Sequence, residues 1–219
     1  MDGYQCNDHL TYLHAEKQST LINRPSSDFA GEVLEVGTNV TRFARGDRVA
    51  GCVHQTHIAG VLTEKDAAQA LGASLDGGLR EYGVFNEQGL VRIPHNLSFR
   101  EGATLPCAAL TAWNALYGEK QLRPGDKVLT LGTGGVSIFG VQFARVGGAE
   151  VISTTSSDHK AAVLRELGAR HVINSRDDEQ WGATAKKLSN AARGADYVLE
   201  IGGKLSFLAL PPSCNHLCE

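Results

Sequence analysis

The stretch that decides the fold is Lys127-Val-Leu-Thr-Leu-Gly-Thr-Gly-Gly-Val-Ser137-Ile-Phe-Gly-Val-Gln-Phe-Ala144. A short apolar run with β propensity ends in glycines, and apolar residues then return at helical spacing, so the stretch predicts a strand, a tight turn and a helix. Such a turn brings backbone N–H groups and the positive helix end close to a diphosphate. Ser137 stands where the third glycine of this fingerprint normally lies. On the turn alone, an ordinary strand-to-helix connection remains the alternative.

The chain after residue 98 alternates strands with helices. Glu150–Thr155, His171–Asn174 and Asp196–Ile201 have the composition of short buried strands, and helix-patterned segments separate them. This order predicts an α/β fold with a doubly wound parallel sheet. A dinucleotide would then lie at the glycine turn after the first strand. The residues predicted to bind it there are Gly132, Thr133, Gly134, Gly135, Val136 and Ser137.

The first part of the chain has a different pattern. Residues 29–36 and 48–53 are predicted strands joined by glycine turns, which indicates a small antiparallel barrel or sandwich. Tyr82–Phe85 and Leu90–Ile93 are predicted to form a hairpin closed by Pro94. Ser98 and Glu101 have the spacing of a helix capping box.

Composition excludes several classes of protein. The 219 residues carry a net charge of −3 with no basic stripe, which argues against nucleic acid as a partner. No apolar run is long enough to cross a bilayer, and the N-terminus does not resemble a signal peptide. Five scattered cysteines indicate a reducing compartment. We therefore expect a cytoplasmic protein with a small-molecule substrate and neither a nucleic-acid nor a membrane partner.

Several ordered motifs resemble the medium-chain dehydrogenase/reductase superfamily, on its zinc-independent, quinone-oxidoreductase-like side, from about Asp28 to Gly203. The motifs are Asp28-Phe-Ala-Gly-Glu-Val33 with Val36-Gly37, Phe43-x-x-Gly46-Asp47-Arg48-Val49, Ile93-Pro94, Leu105-Pro106-Cys107-Ala-x-Leu-Thr111-Ala-Trp113, Pro124-Gly125-Asp126-Lys127-Val128, the glycine turn, and Leu167-Gly168-Ala169 with Val172-Ile173-Asn174.

The resemblance implies a partial GroES-like β-barrel domain over residues 1–98 and a partial Rossmann domain over residues 99–219. It implies an NAD(P)-dependent oxidoreductase acting on a small carbonyl or alcohol, a quinone or an enone. The family normally has further barrel strands before this start and a second Rossmann half that supplies a dimer edge. A homodimer is accordingly doubtful. The alternative function is a truncated, catalytically impaired relative that at most binds nucleotide.

The same resemblance implies that no catalytic zinc is bound. Zinc-dependent relatives have a Gly-His-Glu motif where this chain has Ser26-Ser27-Asp28, with serine in place of histidine. Cys107 matches only the last ligand, whereas a catalytic zinc usually needs three protein ligands. A metal at Cys52, His54 and His57, or at Cys214, His216 and Cys218, is an alternative that we do not favour.

Coenzyme choice rests on the end of the second Rossmann strand, where an acidic residue favours NAD over NADP. That strand ends in Thr155 and Ser156, with Lys160 one helical turn further and no carboxylate before Asp158. Small hydroxyls and a lysine suit a 2′-phosphate, so NADP is favoured over NAD. Alternatively, Ser156 or Ser157 only caps the following helix and Lys160 is a solvated surface residue. Ser175 stands where NADP-dependent relatives often carry tyrosine, and Arg176 could substitute for it.

The remaining site residues follow from the resemblance. Thr111 is placed near the nicotinamide ribose, although a helix residue bonded to backbone is an equal alternative. Ile201 and Gly202, after the fourth strand, complete the predicted cofactor set. Tyr4 lies at about the distance upstream at which zinc-free relatives carry an active-site tyrosine. The catalytic residues stay unassigned, and we nominate no general acid.

Overall fold

The computed structural model describes residues 24–190 and 194–202, together with the backbone of two short strands, Leu10–Leu13 and Leu217–Cys218. The chain divides into two compact units, Met1–Cys107 and Ala108–Glu219. No helix in the described ranges is long and apolar enough to span a membrane.

The first unit is built on an antiparallel sheet. Its strands are β1 (Leu10–Leu13), β2 (Ala30–Val36), β3 (Arg48–Gly51), β4 (Gly83–Asn86) and β5 (Leu90–Arg92), in the order β4-β1-β2-β3-β5. Two short helices accompany it, α1 (Glu64–Ala67) and α2 (Phe99–Gly102), and the predicted capping box of Ser98 and Glu101 is present at the start of α2. The core packs the apolar side chains of Phe29, Val33, Phe43, Val49, Leu71, Phe85 and Leu90.

The hairpin predicted for residues 82–93 is wrong. β4 pairs with β1 and β5 pairs with β3, so the two strands lie at opposite edges of the sheet. Between them a 3-10 turn, Glu87–Gly89, redirects the chain. The buried Glu87 carboxylate accepts the N–H groups of Thr41 at 3.0 Å and Arg42 at 2.9 Å. These bonds anchor the turn to the loop between β2 and β3.

The second unit contains a parallel sheet. Its strands are β6 (Lys127–Thr130), β7 (Glu150–Thr155), β8 (His171–Asn174), β9 (Tyr197–Leu199) and β10 (Leu217–Cys218), in the order β10-β9-β6-β7-β8. Its helices are α3 (Leu110–Tyr117), α4 (Gly135–Val146), α5 (Asp158–Leu167) and α6 (Trp181–Asn190), and a π-helical turn, Leu105–Ala109, leads into α3.

Two apolar cores cover the two faces of this sheet. Along β6, Val128 belongs to the core shared with α3, α4 and α5, whereas Leu129 belongs to the core shared with α6. Val151 and Ile152 divide in the same way along β7. Successive strand residues point to opposite faces, so this division puts helices on both sides of a parallel sheet. The predicted α/β, doubly wound class is confirmed.

Candidate functional site

The glycine loop connects the carboxyl end of β6 to the start of α4. Gly132 has φ +79°, a left-handed conformation that glycine adopts without steric cost. Its N–H donates to the Thr154 hydroxyl of β7 at 3.1 Å. The loop is therefore fixed both by its own backbone and by the neighbouring strand.

The amino end of α4 is open. Gly134 occupies the N-cap position and provides no side-chain cap. The N–H groups of Gly135, Val136 and Ser137 lie in the first turn, where a helix supplies no acceptor of its own. A Cβ atom built on Gly132 or Gly134 would meet no atom of the described residues within 4 Å. The loop thus combines backbone donors, the positive end of a helix and free space, which is what a diphosphate needs.

Ser137 contributes to the loop through its side chain as well as its backbone. The residue is 1% exposed, and its hydroxyl donates to the Leu131 carbonyl at 2.7 Å. The close approach between α4 and β9 occurs at Gly140, about one turn later. A side chain as small as that of serine is therefore tolerated at position 137. A Cβ on Gly140 would lie 2.5 Å from Leu199 of β9. The hydroxyl thus closes the turn from strand to helix.

At the end of β7 the predicted residues have different environments. Thr155 is buried, and its hydroxyl accepts the Ser157 N–H at 3.3 Å. Ser156 and Lys160 are exposed. Ser157 is the N-cap residue of α5, as predicted, but its hydroxyl makes no capping bond. Of the predicted residues at this strand end, Ser156 and Lys160 are therefore the ones with side chains open to a ligand.

Ile201 and Gly202 follow β9 and are both exposed, Ile201 by 53%. Their strand pairs in parallel with β6, with Leu199 opposite Thr130. The carboxyl end of β9 therefore lies beside the glycine loop. The Gly202 N–H donates to a carboxylate oxygen of Glu200, which is itself 6% exposed.

Thr111 lies in the first turn of α3 and is exposed. Its hydroxyl makes no hydrogen bond within the part of the chain that the structure describes. The turn before it approaches the glycine loop, because the Ala108 side chain would lie 3.1 Å from a Cβ on Gly135. Within the described residues, the Thr111 hydroxyl therefore does not form the hydrogen bond to backbone that was the alternative expectation.

The parallel strand order places the ends of β9, β6 and β7 side by side, and with them the loop, Ser156 and Gly202. Two further polar residues at this edge were not predicted, Thr154 and Asn174. Thr154 holds the loop through Gly132, and Asn174 binds the carboxylate of Asp158 at 3.0 Å. A polar residue at the end of an otherwise apolar strand is the signal that could have identified both.

Two residues at the positions of the zinc ligands in zinc-dependent relatives, Ser27 and Cys107, lie within the described ranges. The Ser27 hydroxyl donates to the Asp28 carboxylate at 3.2 Å, and burial raises the pKa of Asp28 while that hydrogen bond opposes the rise. Cys107 is exposed in the π-helical turn. Within residues 24–190 and 194–202, no group of three His, Cys, Asp or Glu side chains is placed to hold a metal ion, at residues 52–57 or elsewhere. Tyr4 and the grouping of Cys214, His216 and Cys218 fall outside those ranges.

A separate cavity of about 310 Å³ belongs to the first unit. Its lining includes Phe29, Glu32, Arg80 and Phe85, and none of the residues predicted to bind the cofactor.

Comparison with known proteins gives consistent matches. Residues 6–95 match the alcohol dehydrogenase GroES-like domain, and residues 135–214 match the zinc-binding dehydrogenase family. A zinc-type alcohol dehydrogenase-like protein of Schizosaccharomyces pombe is 46% identical over 182 residues, which cover 82% of this chain and 52% of that protein. The quinone oxidoreductase of Mus musculus is 27% identical over 87% of this chain and 53% of its own length.

Among solved structures, a protein of Sinorhizobium meliloti 1021 assigned as an alcohol dehydrogenase superposes with a TM-score of 0.84 at 36% identity. The match covers 97% of this chain and 69% of that one. The chain spans about half the length of the two curated relatives.

Proposed function

Because the chain belongs to the medium-chain dehydrogenase/reductase superfamily, we propose that it is an NADPH-dependent, zinc-free oxidoreductase. It transfers hydride to or from a small carbonyl or alcohol, a quinone or an enone. The relatives named as alcohol dehydrogenases and quinone oxidoreductases support this reaction class. The observation that carries the proposal is the open, uncapped start of α4 beside Gly132 and Gly134.

The chain's own residues supply binding and orientation. The N–H groups of Gly135, Val136 and Ser137 hold the diphosphate, and the helix dipole adds to their attraction. Thr133 lies in the same loop, and Thr111, Ile201 and Gly202 form the side of the site toward the nicotinamide. When bound, the nicotinamide supplies or accepts the hydride. An acceptor held by the protein against the nicotinamide then needs no bound metal, only a donor to the developing oxyanion.

The preference for NADPH rests on the charge at the end of β7. Thr155 and Ser156 leave no carboxylate on the strand end itself, and Lys160 is exposed one turn into α5. A lysine attracts a 2′-phosphate, whereas an acidic residue at this place repels it. We therefore expect a lower Kd for NADPH than for NADH.

The proposal that the protein binds no catalytic zinc is supported by the side chains at the positions of the zinc ligands in zinc-dependent relatives. Ser27 replaces the histidine of zinc-dependent relatives, and a serine hydroxyl is not among the usual zinc ligands. Metal analysis of the purified protein tests this proposal. We expect less than about one tenth of an equivalent of zinc per chain. A full equivalent of zinc, whose removal by a chelator also abolishes activity, would contradict the proposal.

The test of the coenzyme site is Gly134→Val. Gly134 has φ −74° and ψ 173°, an extended conformation that any residue adopts, and open space surrounds it. Valine is a poorer N-cap residue than glycine, so it should cost about 1 kcal/mol of stability while filling the space proposed for the diphosphate. We expect the Kd for NADPH, measured by fluorescence titration, to rise by about tenfold or more, a loss of about 1.4 kcal/mol or more.

A matched control is Gly125→Val in the turn before β6. Gly125 has φ +87°, so a valine there costs about 1–2 kcal/mol of stability without touching the glycine loop. The control should lower the unfolding midpoint and leave the Kd for NADPH unchanged. NADPH oxidation with a panel of aldehydes, quinones and enones then tests turnover. Wild-type protein that binds neither coenzyme would overturn the proposed function.

A further inference from the structure

Asn174 joins two segments at the adenosine side of the proposed coenzyme site. It is the last residue of β8 and lies opposite Thr155, the last residue of β7. Its carboxamide oxygen accepts the Arg176 N–H at 3.2 Å, and its carboxamide nitrogen donates to the Asp158 carboxylate at 3.0 Å. A backbone N–H can only donate, so this bond fixes which way the amide faces.

Asp158 carries the first carboxylate after β7 and opens α5. A carboxylate in this neighbourhood is the group by which dinucleotide folds select against a 2′-phosphate. Here one of its oxygens is bound by Asn174, which directs the carboxylate toward the end of β8. The bond opposes free rotation of an exposed side chain that would otherwise reach other positions around the strand end.

The cations near this strand end are not held in the same way. Lys160 and Arg176 are both exposed, and neither side chain makes an ion pair or hydrogen bond within the described ranges. Arg176 is two residues from Asn174, and its own N–H is one partner of the amide. With the carboxylate held by Asn174, Lys160 and Arg176 are the charged side chains near the end of β7 that are free to turn toward a ligand.

We propose that Asn174 is a positioning residue for coenzyme selection, holding Asp158 so that Lys160 and Arg176 determine the charge that a 2′-phosphate meets. This inference rests on the proposed function, since it concerns the same coenzyme site. Asn174 should therefore affect the ratio of the affinities for NADPH and NADH, and not the binding of the diphosphate that both coenzymes share.

The experiment compares Kd values for NADPH and NADH in wild type, Asn174→Ala, Asp158→Asn and the double variant. In Asn174→Ala the carboxylate is released, so the ratio of the Kd for NADH to that for NADPH should fall by about tenfold, mostly through weaker NADPH binding. In the double variant no carboxylate remains to be released, so the ratio should lie within about twofold of that in Asp158→Asn alone and no lower than the wild-type value. Should Asn174→Ala not fold, Asn174→Thr takes its place, because threonine suits a strand end and is too short to reach both partners.

A merely structural role of Asn174 would weaken both coenzymes equally and would not be rescued by Asp158→Asn. An unchanged ratio in Asn174→Ala, or a ratio that Asp158→Asn fails to restore, overturns the inference and leaves the proposed function standing. A wild type that prefers NADH, with a ratio that still falls in Asn174→Ala, supports the inference and removes the NADPH preference. Binding of neither coenzyme to the wild type overturns both.

Discussion

At the scale of single residues, Ser137 shows how a departure from the glycine fingerprint is accommodated. The hydroxyl bonds the Leu131 carbonyl inside the turn, and the residue is almost fully buried. The fingerprint needs a small side chain at this position, and serine provides one with a hydrogen bond that glycine lacks. The function of the third glycine, close packing of helix on strand, passes to Gly140.

Ser137→Ala should therefore cost stability and leave coenzyme binding nearly intact. Removing the hydroxyl leaves a partly buried carbonyl without its donor, so we expect a loss of about 1 kcal/mol in the free energy of unfolding. The Kd for NADPH should change by less than about twofold, since the donors to the diphosphate are backbone groups. Urea unfolding and a fluorescence titration measure the two effects.

The matched control is Ser189→Ala in α6, where the hydroxyl donates to the Lys186 carbonyl of its own helix. Such a bond within one helix adds little to its stability, so this variant should lose clearly less than Ser137→Ala. A tenfold rise in the Kd for NADPH in Ser137→Ala would mean that the hydroxyl itself contacts the ligand.

At the scale of elements, the amino ends of three neighbouring strands are joined by charge. Glu150 begins β7, and its carboxylate lies 2.7 Å from Lys127 of β6 and 2.7 Å from Arg170, just before β8. His171, the first residue of β8, is 3.7 Å away. The hydrogen bond from Lys127 is the main reason that the pKa of Glu150 lies below its ordinary value, despite the opposing effect of burial. The lowered pKa favours the folded state wherever the carboxylate is ionised.

Glu150→Gln should destabilise the protein by about 1 kcal/mol near neutral pH, a size typical of partly exposed ion pairs. Because the folded pKa is lowered, this contribution is complete above the unfolded value of 4.5 and is lost as the pH falls through the folded pKa. The difference between wild type and variant should thus shrink when urea unfolding is repeated from about pH 7 down to about pH 3.

Glu179→Gln is the control, since Glu179 is exposed and makes no ion pair within the described residues. It should change stability by less than about 0.5 kcal/mol at every pH. A Glu150→Gln penalty that is equal at both ends of the pH range would show that the ion pairs do not stabilise the sheet.

Strand positions were more predictable from the sequence than strand partners. The segments at residues 150–155 and 171–174 match β7 and β8 because both are rich in the β-branched residues that favour strands. The hairpin prediction failed because β4 and β5 each pair with a strand far away in sequence. The turn between them is held by Glu87, whose carboxylate accepts two backbone N–H groups more than forty positions earlier in the chain. No local pattern encodes a contact of that span.

At the scale of the whole molecule, the glycine turn and the ordered motifs predicted the fold class and the family. The parts of the site that the sequence did not reveal are Thr154 and Asn174, which act across strands through hydrogen bonds set by sheet register. Sequence spacing indicates which residues share a strand end, but the bonds among them depend on rotamers and on neighbouring loops.

The proposed coenzyme site requires a diphosphate bound at the start of α4. The most direct measurement is a crystal structure of the protein grown with NADPH. We expect diphosphate oxygens within hydrogen-bond distance of the N–H groups of Gly135 and Val136, directly above Gly134. NADPH bound at any other place, or side chains filling the space over Gly132 and Gly134, would contradict this expectation.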